Sequence, residues 1–347
     1  MNDRIHTQLP ETAAMPVLCR RPGPARLHTA ARPTRGRVLL CIAVLWTGIA
    51  IAADGTTRMR AVADGYEHDA FFAVDFAGAR GLAVGDHGAI HETLDGGERW
   101  QAVADVPTTV ALLGVAVSAR GDIAVGQAGT ILSRPAGGPW TAAESGTTER
   151  LFAVSRNARG QAVAVGAFGV TLLSADAGAS WRAAMPQWDR YVDPGVQPHL
   201  YAAHVGDDGT VTVAGEFGLI LRSDDDGKTW RSLHRGEASV FGLDLRADGV
   251  GYAVGQSGIA LRTDDGGEQW TAVDSGTGAH LFAVDSSPQG RVLATGMREL
   301  VVGQAQAGRW RLVPSADDAW YADVALPADG DTAVAVGQSG RIIRIGR

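Results

Sequence analysis

Lysine is almost missing from this chain: Lys228 is the only one, so arginine supplies the other 30 of 31 basic residues. Cysteine occurs twice, at Cys19 and Cys41, both near the N-terminus. The rest of the chain therefore has no disulfide framework, no thiol nucleophile and no thiolate metal site to draw on. H-E-x-x-H, G-x-S-x-G and C-x-x-C-H are all absent, which removes the common signatures of zinc proteases, α/β-hydrolases and c-type haem attachment. No apolar run reaches the ~18–20 residues that a spanning helix wants. Excess positive charge is missing too: the formal net charge is −7, which disfavours general binding to a phosphate backbone. No metal, cofactor or nucleic acid is expected.

What is present in excess is glycine and tryptophan. Glycine makes up 46 of 347 residues, against a usual share of about 7%. Nine tryptophans outnumber both the eight phenylalanines and the five tyrosines.

Residues 1–37 carry seven arginines against Asp3 and Glu11, and the apolar run Val38–Ala52 follows, ending in Ala50-Ile51-Ala52. A basic leader, a short apolar core and a small-x-small ending describe a secretory signal peptide over 1–52, cleaved near Ala52-Ala53. An uncleaved N-terminal anchor is the alternative. The expected product is an exported, periplasmic or secreted domain over 53–347. Its 24 basic and 36 acidic residues give a charge near −12, and it has lost both cysteines.

That domain repeats itself. A G-x-x-G pair stands at Gly85/Gly88, Gly126/Gly129, Gly166/Gly169, Gly215/Gly218, Gly255/Gly258 and Gly337/Gly340, with a worn copy at Gly296/Glu299. Successive first glycines are 41, 40, 49, 40, 41 and 41 residues apart, and Trp100, Trp140, Trp181, Trp230, Trp270 and Trp310 keep the same beat. Each unit reads as four short strands, in the first copy Phe71–Phe76, Gly81–Val84, Ala89–Thr93 and Arg99–Val103. A four-strand repeat of about 40 residues is a propeller blade, and seven copies predict an all-β, seven-bladed β-propeller. The last copy ends after its third strand, while Arg58–Ala63 aligns with the fourth strand of the first copy, Met59 standing where tryptophan should be. The N-terminal strand is expected to complete the final blade and close the ring, removing an exposed edge. An open superhelical array is the competing arrangement.

Four of the turns before tryptophan read S/T-x-D-x-G-x-x-W, around Asp95, Asp176, Asp225 and Asp265. These resemble the Asp-box, or bacterial neuraminidase, repeat. A local role is expected for the carboxylates: bonding turn N–H groups while glycine takes φ > 0 and tryptophan packs between blades. The combination of this box with Leu151-Phe-Ala-Val154, Leu281-Phe-Ala-Val284, Ala164-Val-Gly-Ala-Phe-Gly169 and Ala253-Val-Gly-Gln-Ser-Gly258 resembles the photosystem II stability/assembly factor family (the hypothetical chloroplast reading frame 48 type). The resemblance spans residues ~58–347. It implies a non-catalytic, exported seven-bladed scaffold that binds protein and assembles or stabilises a membrane complex, through an arginine-rich patch in the photosynthetic members. Arg150 fits that patch; Ala70, Leu200, His280 and Trp320, taken as its equivalents, do not.

The G-x-x-G turns share one face of such a ring with the loops between blades, and the boxes share the other. The partner-binding candidates lie on the G-x-x-G face: Asp86, His87, Arg150, Phe168, Glu216, Phe217 and Arg298. The single long insertion, Pro186–His199, adds Trp188, Arg190 and Tyr191, residue types enriched at binding hot spots. Capping the channel mouth is the plainer role for that loop, with Phe168 and Phe217 as its packing partners or as an exposed patch. His87 and His91 admit a metal reading, though a solvated turn pair is the simpler one. A protein partner, membrane-associated, and a monomeric state are expected. A sialidase-like glycoside hydrolase or glycan-binding propeller is the alternative, against which stands the lack of an Arg-Ile-Pro segment before the first box.

Overall fold

The computed structural model describes residues 57–63, 69–304, 309–314, 319–327 and 330–346; the expected leader and its cleavage point lie outside them. Seven four-stranded antiparallel sheets form seven blades. The first strand of each blade lies innermost: Phe71–Ala77, Leu112–Ser118, Leu151–Arg156, Leu200–Val205, Val240–Leu245, Leu281–Ser286 and Tyr321–Ala325. Each touches the inner strands on either side, the seventh meeting the first, so the ring is closed.

Six of the seven second strands, Ala162–Gly166 and Ala333–Gly337 among them, are buried at every position, and Arg80–Gly85 at every position but Arg80. This explains why they read as continuous apolar runs rather than alternating ones: both faces of each blade pack on a neighbour. The outer strands are short and exposed, Gln101–Ala102 and Arg182–Ala183 among them. The box tryptophans stand just before these outer strands and fill the gaps between sheets; Trp100 contributes to a cluster shared by the last and first blades.

Closure follows the sequence expectation. Arg58–Ala63 pairs with Ile342–Gly346, with Met59 opposite Ile345 and Arg60 opposite Arg344. Across the same junction Glu98 of the first blade bonds Arg60 at 2.5 Å and also pairs with Arg344.

A second set of ties between blades was not legible beforehand. Asp75 accepts the N–H of Val117 at 2.6 Å, Asp285 that of Leu326 at 2.6 Å, and Asp323 that of Val74 at 2.9 Å, each carboxylate reaching into the next blade. The other oxygen of each accepts the N–H of the residue following it in sequence. Asp244 bonds the Ser286 hydroxyl, and the Ser155 hydroxyl accepts the N–H of Val205. Five of the seven junctions are thus latched by an inner-strand side chain. The latches border the axial channel and are enclosed by dense protein. Burial pushes Asp75 and Asp323 up to about 7 and Asp244 up to about 6, and raises Asp285 well above the usual carboxylate range.

Candidate functional site at the channel mouth

The G-x-x-G turns are built the same way throughout. In all seven blades the N–H after the first glycine donates to the carbonyl of the residue preceding the inner strand, as from Ala167 to Arg150 (2.8 Å) and from Glu216 to His199 (3.0 Å). That bond presses the glycine against the same carbonyl: a Cβ on Gly166 would lie 2.0 Å from the Arg150 oxygen, and the six equivalents would meet theirs at 1.9–2.2 Å. The first glycine is therefore required by close approach rather than by its extended backbone. Two residues on, the chain turns left-handed at a residue that is not glycine: His87, Ala128, Phe168, Phe217, Ser257, Arg298 and Ser339 have φ between 52° and 62°.

These left-handed residues stand at the tips of the turns. Phe168 is 51% exposed and Phe217 43%, in adjacent blades, and Met297 beside Arg298 is 51% exposed. Nearer the axis the second residue of each inner strand forms a collar. Phe152, Tyr201, Phe241 and Phe282 follow one another around the ring with centroids 5.6, 5.2 and 6.2 Å apart. Phe72 stacks on Trp320 at 6.3 Å. His199 joins the two layers, its ring 5.0 Å from Phe168 and 6.3 Å from Tyr201. Its Nδ1 accepts the N–H of Phe168 at 3.0 Å, and His280 Nδ1 does the same for Ser257, so the ring proton of each sits on Nε2. The collar encloses a cavity of about 190 Å³ that runs down to Asp323.

The candidate residues divide on inspection. Phe168 and Glu216 come together at His199, whose N–H bonds the Glu216 carboxylate at 2.8 Å, while Phe217 stands at its own turn tip beside the inner strand of the next blade. Burial, and after it the Glu216 carboxylate, raises the Tyr201 hydroxyl above its ordinary range. Arg150, Arg190, Arg298 and His87 are exposed on the same face, while Asp86 is half-buried, its carboxyl raised by burial. His91, further along the same blade, packs on the Phe71 ring at 4.9 Å.

Trp188 and Tyr191 need correcting. They are only 8% and 9% exposed and belong to the core between the third and fourth blades. The Trp188 indole lies over Gly169, where a Cβ would meet Nε1 at 2.2 Å, and the Tyr191 hydroxyl donates to the Trp230 carbonyl at 2.6 Å. The insertion is thus a packing element at these two positions, with no aromatic face left for a partner. A second correction concerns register. Leu200 pairs with Gly215 inside the strand, so the equivalent of Arg150 in the fourth blade is His199.

On the opposite face the four S/T-x-D-x-G-x-x-W turns are tied internally. In each, the Asp Oδ1 accepts the N–H four residues on, at 2.8–3.0 Å. Thr93, Ser174, Ser223 and Thr263 donate to that oxygen and accept the glycine N–H. The Ser180 and Thr229 hydroxyls, donating to the other oxygen of Asp176 and Asp225, act with these bonds to hold the two carboxyls down to about 2, and Asp95 and Asp265 are lowered in turn by the N–H bonds four residues on. The carboxylates are spent on the turn. Among the described residues no three His, Cys, Asp or Glu side chains are grouped to hold a metal ion.

The collar and the latches are what sequence reading missed. Both have a signal: Phe72, Phe152, Tyr201, Phe241 and Phe282 recur one residue into the inner strand, and Asp75, Asp244 and Asp285 recur three residues later.

No protein-family description and no curated protein sequence matches the chain. Solved structures do. YCF48 bound to D1 peptide superposes with a TM-score of 0.65 at 14% identity, over 84% of this chain and 97% of that one. YCF48 from Cyanidioschyzon merolae gives 0.66 at 18% identity, over 83% and 98%. The structure of U3-55K gives 0.67 at 12% identity, over 83% and 98%. At these identities the likeness establishes a shared seven-bladed fold.

Proposed function

We propose that this chain is a non-catalytic, protein-binding propeller that docks its partner on the G-x-x-G face. The observation that carries the reading is the placement of exposed aromatics there. Phe168 and Phe217 project from left-handed backbone that disfavours any L side chain by about 1–2 kcal/mol, around a collar of further rings. Nothing in the packing of the blades requires phenylalanine at a tip where Ala128 and Ser257 serve equally. Apolar patches left at the surface mark interaction sites, and a ring of loops on a rigid scaffold is a common place for function. YCF48 binding D1 peptide is consistent with a peptide or protein ligand for this fold.

The leader-like N-terminus supports an exported protein, and the family resemblance supports assembly or stabilisation of a membrane-associated complex, the chain itself being monomeric and peripheral. A double substitution Phe168→Ser/Phe217→Ser tests the docking reading. Capture of the partner from a membrane extract should fall at least tenfold while the melting temperature holds. Undiminished capture would refute it. N-terminal sequencing of the exported product should begin near Ala53.

A further inference from the structure

We propose that the collar receives one long cationic side chain, lysine or arginine, presented by the docked partner, with its stem against the rings and its charged head directed down the channel to Asp323. This deepens the docking reading and rests on it. Three observations converge. The cavity is walled by the Phe152, Tyr201, Phe241 and Phe282 rings and reaches Asp323, so it offers aromatic faces first and a carboxylate beyond them. Aromatic faces attract ammonium and guanidinium groups, and long basic side chains bury their stems while keeping the head polar.

Charge points the same way. No Arg, Lys or His side chain lines this cavity, and deeper in the channel stand Asp75, Asp244 and Asp285. Arg156 faces the channel from its opposite end, past these carboxylates. Among the described residues no cation pairs with Asp323. Its two oxygens each accept one backbone N–H, from Val74 and Val324, which leaves further acceptor capacity on both. Burial raises its pKa by more than the Val74 and Val324 N–H bonds lower it, and an incoming cation would offset the desolvated charge further. An apolar side chain would satisfy the rings but strip water from Asp323 without replacing it. An acidic one would meet four carboxyl groups along the channel.

The test is an NMR titration of the purified protein with N-acetylated, C-amidated Gly-Gly-Xaa-Gly-Gly peptides, Xaa being Lys, Arg, norleucine or Glu. The amides of Val74 and Val324 report directly on Asp323. Lys and Arg peptides should shift both and saturate, norleucine should bind at least tenfold more weakly, and Glu should not bind. Asp323→Asn should weaken the Lys peptide about tenfold and leave norleucine unchanged. Because Asp323 also latches two blades, Phe241→Leu provides an independent variant, expected to weaken Lys binding with an unaltered melting temperature. Norleucine binding as tightly as lysine, or lysine binding without movement of Val74 and Val324, would overturn the proposal. Lysine binding to a protein whose partner still docks after Phe168→Ser/Phe217→Ser would uphold the cation pocket and remove the docking reading instead.

Discussion

At the scale of single residues, the left-handed turn tips separate function from fold. Phe217 is exposed, with φ at 57°, so glycine suits its backbone better. Phe217→Gly should stabilise the protein by about 0.5–1 kcal/mol, the relieved strain exceeding the added freedom of the unfolded chain. Calorimetry should read this as a rise of about 1–2 °C, accompanied by loss of partner capture. Trp188 behaves in the opposite way. Trp188→Ala removes a buried indole from between two blades and should cost about 3 kcal/mol, measured as an equally large drop in denaturation free energy. The sequence placed both on the G-x-x-G face as binding candidates, Phe217 within a repeat turn and Trp188 in the insertion. Only the return of the insertion onto Gly169 distinguishes them, and that contact joins segments whose spacing follows no period.

At the scale of the strand, the inner-strand latches make the ring sensitive to pH. A carboxyl whose folded pKa is raised from 3.8 to about 7, as at Asp75 and Asp323, holds a proton between those values that the unfolded chain gives up. Its contribution is therefore largest below pH 4 and is lost as pH rises through 7. His204 opposes this, since burial lowers it to about 4 and stability falls as pH drops from 6.5 towards that value. The box aspartates Asp176 and Asp225, held at about 2, lose their contribution only below pH 3.8. Thermal melts across pH 6.5 to 8 isolate the latches: stability should decline towards the upper end in the parent protein. Asp75→Asn/Asp323→Asn should flatten that decline. Strand positions and the four-strand blade were legible from periodicity, because Gly and Trp hold one beat. The latches escaped notice because nothing in its own strand marks Asp75 or Asp285 as a tie until the neighbouring blade supplies Val117 and Leu326.

At the scale of the whole molecule, closure is the feature on which the rest depends. Arg58–Ala63 supplies the outer strand of the last blade, so one blade is made from both ends of the chain. Deleting residues 58–63 should expose the Ile342–Gly346 edge and convert a single cooperative transition into aggregation at lower temperature, visible by light scattering during a melt. Closure was readable from a missing fourth strand and an orphan copy of it. Which mouth carries the exposed aromatics was only partly readable: Phe168 and Phe217 could be placed on a face, but their exposure and the collar inside them depend on seven strands meeting at an axis. The ring assigns its two faces different work. Box turns with internally satisfied carboxylates rigidify one, and turns with left-handed tips, two of them phenylalanine, surround the channel on the other. A photo-crosslinking amino acid placed in turn at 168, 217 and 94 within living cells tests that division most directly. Positions 168 and 217 should give the same discrete protein adduct, and position 94, on the box face, should give none. An adduct from 94 with none from 168 or 217 would contradict the assignment of the docking face.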